Sequence, residues 1–143
     1  MYVLQALIAP PVVFTDVLFN ACPSIELPQG LALLPLSHAL LERFGLPALP
    51  MTDGACLPDA FVQQLAAAAR HAPLVYVETE HFAGGGSQAC LLFSDGGLRD
   101  SRVAPDALNA ALGFLGICAG EQDIDGFAAL GLRRHRHTEE WFP

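Results

Sequence analysis

The 143 residues, 52% of them hydrophobic and 15% charged, suit one globular domain with a sizeable core and exclude a disordered chain. A formal net charge of −8 sets aside nucleic-acid binding through a phosphate-neutralising surface and suits a basic protein partner. Apolar runs are interrupted by proline or polar residues before about 18 positions, so no membrane-spanning segment is expected.

Tyr2 to Ile8 is apolar enough for a buried strand and is broken by Pro10 and Pro11. With no basic segment before it, this start reads as a core strand rather than a signal peptide. Val12 to Phe19 is β-rich and predicts a second strand, with a helix as the alternative. Asn20 to Gly30 reads as a loop from its Asn, Pro and Gly content. Leu31 to Leu36 is a short apolar run. Ser37 then caps a helix, HALLERF, stopped by Gly45, and Leu46 to Leu57 is an irregular connection.

Phe61, Leu65 and Ala68 recur at helical spacing and predict a helix from Pro58 to His71, with Pro73 preventing its continuation. Leu74–Phe82 and Ser87–Phe93 form a hairpin around Gly84–Gly86. Asp95–Gly96–Gly97 signals another turn, and Leu98 to Val103 reads as a short edge strand. Pro105 opens a second clear helix with Leu108, Ala111, Leu112 and Leu115 on one stripe and Gly116 as terminator. Asp123 to Leu130 suggests a further short helix, and Thr138 caps a last turn carrying Trp141. These elements predict a single α+β domain. Its mixed or largely antiparallel sheet has a central hairpin packed by two main helices, at 58–71 and 105–115.

The densest polar chemistry lies in the hairpin. Alternation places Tyr76, Glu78, Glu80 and Phe82 on one face and Val77, Thr79 and His81 on the other. Carboxylates two apart on a strand stand about 6–7 Å apart, near the separation of an inverting paired-carboxylate hydrolase; a solvated or salt-bridged face is the leading reading and a binding or catalytic surface the alternative. Gly84–Gly86 lacks the following Lys-Ser/Thr of a phosphate loop and opens a strand, so it reads as a turn. Gln88 reads as a structural hydrogen-bonding group or as a contact to a ligand.

His135-x-His137 with His81 offers three histidines, but the neighbouring arginines make the tail a charged surface segment, and no metal site is expected. Glu121, Asp123, Asp125 and Gly126 resemble part of a calcium loop, yet Leu132 stands where its final glutamate belongs. Cys22, Cys56, Cys90 and Cys118 form no C-x-x-C pair. They are expected as buried free thiols in a reducing cytosol, with neither a disulfide framework nor zinc. No G-x-S-x-G elbow or other nucleophile motif is present.

Tyr76 to Gln88, read Y-V-E-T-E-H-F-A-G-G-G-S-Q, resembles a pattern in small uncharacterised bacterial proteins, in which an E-x-E-aromatic-F run leads into a glycine turn and then Gln. His81 and Ala83 stand where that pattern carries an aromatic and a glycine. The likeness extends to Leu108–Gly116, Asp125–Phe127, Leu130–Leu132 and Arg134–Arg136. It implies no catalytic residue, and no cofactor is expected for the chain.

The leading expectation is a non-enzymatic cytoplasmic protein-binding domain, immunity-like or accessory. Its contact residues would be drawn from Glu78, Glu80, His81, Gly85, Gln88, Arg134 and His135. The alternatives are a small hydrolase or ligand-binding enzyme using Glu78 and Glu80 with a histidine, and a structural homodimer formed through an exposed sheet edge or an apolar patch.

Overall fold

A computed structural model describes residues 2–82, 85–117 and 138–141. Strand β1, Tyr2–Ala9, is apolar in both directions. Leu7 and Ala9 enter one core and Leu4, Ala6 and Ile8 the other, as a strand covered on both sides requires.

The strand expected over 12–19 does not form. Two 3-10 turns, Pro11–Thr15 and Val17–Phe19, take its place. Pro11 sets the first turn, the Thr15 hydroxyl donates to the Val12 carbonyl at 2.6 Å, and the Asp16 carboxylate accepts from Leu18 N–H at 3.0 Å. Val13 and Phe19 are buried while Val12 and Val17 are exposed, so local capping outweighs the β preference of the valines. The predicted loop at 20–30 holds β2, Ile25–Leu27, and a further 3-10 turn, Pro28–Gly30. Strand β3, Leu31–Pro35, is buried throughout.

Helix α1 is His38–Phe44, with Ser37 Oγ accepting from Leu40 N–H at 3.4 Å and Gly45 closing it at φ +67°. That positive φ is the left-handed cap for which glycine is suited. Helix α2, Asp59–Ala68, is shorter than the expected 58–71. Pro58 serves as its N-cap, and beyond Ala69 the chain must extend to enter Pro73. Strands β4, Leu74–Phe82, and β5, Gly85–Ser94, form the expected hairpin. Strand β6, Gly97–Val103, follows through a two-residue turn in which Asp95 (φ +51°) and Gly96 (φ +78°) are both left-handed, the geometry an Asp-Gly pair favours. Helix α3 is Ala107–Phe114, and residues Thr138–Trp141 form a terminal 3-10 turn. The helix expected at 123–130 and the tail residues 133–137 lie outside the described residues.

The six strands form one antiparallel sheet in the order β2-β3-β1-β4-β5-β6. Helices α1 and α2 cover one face, over Leu7, Leu34, Tyr76, Leu91 and Phe93; α3 and the terminal turn cover the other, over Leu4, Ile8, Leu33, Val75 and Val77. The fold is therefore α+β, with its two longer helices on opposite faces of the sheet. None of the described helices is long and apolar enough to cross a membrane.

Candidate functional site

The alternation expected along β4 holds for Tyr76 and Glu78 against Val75 and Val77, but the face it defines is not free. Tyr76 and Glu78 lie beneath the connection between α1 and α2, and both are 0% exposed. Met51 N–H donates to Glu78 Oε1 at 3.1 Å and Thr52 N–H to Oε2 at 3.0 Å; the Tyr76 hydroxyl donates to Oε1 at 2.6 Å. Glu78 thus leaves the expected contact surface. Its carboxylate is a buried anchor for a loop, held by three hydrogen-bond donors.

Gln5, directly opposite Glu78 on β1, completes the cluster. Its Nε2 donates to Tyr76 Oη at 2.8 Å and to the Pro47 carbonyl at 3.2 Å, and its Oε1 accepts from Leu49 N–H at 3.1 Å. Two side chains from adjacent central strands therefore bind backbone groups of four residues in one loop: Pro47, Leu49, Met51 and Thr52. The loop has little regular structure of its own, and these bonds satisfy polar groups that its burial would otherwise strand. Burial pushes the Tyr76 hydroxyl far above the ordinary tyrosine range, and the Glu78 charge and hydrogen bond add to the rise. The phenol stays a donor.

Beside this cluster a cleft of about 280 Å³ is lined by Val3, Gln5, Leu36, His38, Leu49 and Thr138, among others. Its one imidazole, on His38, is solvent-exposed and sits 3.4 Å from Glu42. Among the described residues the cleft does not bring a histidine and two carboxylates together.

Glu80, two residues beyond Glu78, is half-buried. Of the expected pair it is the one carboxylate with access to solvent. His81 and Gly85 lie in the paired end of the hairpin, opposite Gly86 and Phe82 respectively. Arg134 and His135 lie outside the described residues.

Gln88 is opposite Thr79 and is 8% exposed. Its Oε1 accepts from Leu108 N–H at 2.8 Å, at the N-terminus of α3, where helix amides lack partners of their own. This is the structural role of the two that the sequence allows. Gln88→Ala is expected to cost about 1 kcal/mol, read as an earlier thermal transition with the sheet's far-ultraviolet signal intact. Nearby, Thr79 Oγ1 is buried with no hydrogen-bond partner among the described residues.

Cys22, Cys56 and Cys90 are free thiols. Of these only Cys90 is fully buried, and burial pushes its thiol up to about 11, which makes it a poor nucleophile. Cys56 is exposed and Cys22 half-buried, correcting the expectation that the thiols are uniformly interior; both sit in irregular segments outside the sheet. Among the described residues no three His, Cys, Asp or Glu side chains cluster closely enough to hold a metal ion.

No family model, curated protein or solved structure matches this chain.

Proposed function

We propose that this chain is a non-enzymatic, cytoplasmic domain that acts by binding another protein, in the manner of an immunity or accessory protein. The observation that carries this reading is the position of Glu78. The hydrolase alternative requires Glu78 and Glu80 to act together with a histidine on one accessible face. Glu78 instead lies under the loop, saturated by two backbone amides and a phenol. Such a carboxylate is poorly placed to take a proton from a substrate, because a general base must reach the proton it abstracts. The conspicuous polar cluster of the chain acts inward, on the fold, which leaves surface recognition as the simplest use of the exterior.

The net charge of −8 favours a basic partner through electrostatic complementarity. The contact surface is the hairpin end around Glu80, where the acidic side chain has access to solvent. Affinity capture with tagged full-length protein tests this. Glu80→Arg is expected to reduce recovery of a basic partner about tenfold, and rising salt should reduce wild-type recovery in the same direction. Equal recovery by wild type and Glu80→Arg would remove this surface.

A further inference from the structure

Strand β6 ends the sheet, and among the described residues no strand pairs with its outer edge. The ladder determines which of its backbone groups face outward. Ala104 N–H donates to the Gln88 carbonyl at 3.2 Å, and the register continues as Cys90↔Arg102, Leu91↔Ser101 and Leu92↔Asp100. Alternate residues of an antiparallel strand direct their N–H and C=O groups to the same neighbour. Arg102 and Asp100 therefore bond inward to β5, while Ser101 and Val103 present their groups outward. The Ser101 N–H agrees, since it donates at 2.9 Å to the adjacent Asp100 carboxylate. The edge is open to solvent, with Leu98 45% and Val103 62% exposed. An irregularity in the register beyond Leu92 leaves Arg99 out of the ladder with β5, its side chain donating instead to the Ser94 carbonyl at 3.0 Å, so the regular run of the edge is 100–103.

We propose that β6 pairs antiparallel with β6 of a second copy of this chain, about a two-fold axis through the two Ser101 residues. Outward-facing residues must meet outward-facing residues, which restricts the register to steps of two. Centring on Ser101 sets Asp100 of each copy opposite Arg102 of the other, in the non-hydrogen-bonded positions where side chains approach most closely. The neighbouring registers set Asp100 against Asp100, or Arg102 against Arg102. Charge thus selects one register. Charged residues on an edge strand ordinarily discourage pairing with an arbitrary strand. Here they alternate in sign about Ser101 and are complementary to themselves, so they discourage other strands while admitting a second copy. On pairing, the Ser101 N–H passes from the Asp100 carboxylate to the Ser101 carbonyl across the axis, and Asp100 turns to the opposing Arg102.

The run is short, so the dimer is weak and reversible. Sedimentation velocity on the full chain, from about 10 μM to about 1 mM, tests it in the range expected of a small interface. Wild type should pass from monomer to dimer with concentration. Asp100→Arg alone and Arg102→Asp alone each set like charges opposite one another twice and should raise the dissociation constant about tenfold or more. In an equimolar mixture of the two variants, every altered position again faces the opposite charge. The mixed dimer should therefore return to within about threefold of wild type. Thermal unfolding of each variant checks that the monomer is intact, because Arg102 also pairs with the exposed Asp106 at 2.9 Å. Wild type that stays monomeric throughout overturns the proposal. So do single variants that dimerise as wild type does, or a mixture that fails to restore association.

Discussion

Glu78→Ala is expected to lower the free energy of unfolding by about 3–5 kcal/mol, the largest effect of any single side-chain truncation outside the apolar core. The carboxylate accepts from Met51 N–H, Thr52 N–H and the Tyr76 hydroxyl. Alanine removes the acceptor of all three donors, and each one left buried and unsatisfied costs about 1–3 kcal/mol. Against a typical domain stability of about 5–15 kcal/mol, such a loss brings the chain near its folding threshold. Denaturant unfolding measures the loss, and amide exchange at Met51 and Thr52 locates it. Glu78→Gln keeps one acceptor oxygen but turns a donor toward another donor, so it should fall between wild type and alanine. If alanine costs less than about 0.5 kcal/mol, the range typical of surface positions, the loop does not depend on this carboxylate.

Tyr76→Phe should cost about 2 kcal/mol, because it deletes a hydroxyl that donates to the Glu78 carboxylate and accepts from Gln5 Nε2. The variant also carries a pH signature. Burial, then the neighbouring Glu78 charge, raises the Tyr76 hydroxyl in the folded protein, whereas in the unfolded chain it titrates near the ordinary value of about 10. A group whose folded value is raised contributes stability fully below the unfolded value, and loses it as pH climbs from there toward the folded value. Wild-type stability should therefore decline above about pH 10, and Tyr76→Phe should lack that component of the decline. Because Tyr76 and Glu78 share a hydrogen bond, the double variant Tyr76→Phe/Glu78→Ala should cost less than the two single losses added together.

Much of the fold was legible locally. Ser37 and Gly45 bracket α1 because a cap and a left-handed stop act within one helix. Asp95–Gly96 marks the β5–β6 turn because few other pairs accept two positive φ angles in succession. Where sequence reasoning went astray, a non-local contact or a local hydrogen bond overrode a propensity. At 12–19, proline and aspartate turned a β-rich segment into 3-10 turns. At Glu78, alternation correctly gave the face but not the depth, because the covering loop carries no periodic signal.

One available signal was overlooked. Gln5 interrupts an apolar run, and Tyr76 and Glu78 follow another. Isolated polar residues inside two strands destined for the core call for partners, and each strand holds part of the other's answer.

The central place of β1 has a kinetic consequence. This strand leads the described chain, yet one of its neighbours, β4, follows only after β2, β3, α1 and α2. The β4–β5–β6 meander closes through short loops, whereas joining β1 to β4 requires a long segment to be ordered against its chain entropy. The bonds from Gln5 and Glu78 to the intervening loop tie that segment to both strands at once.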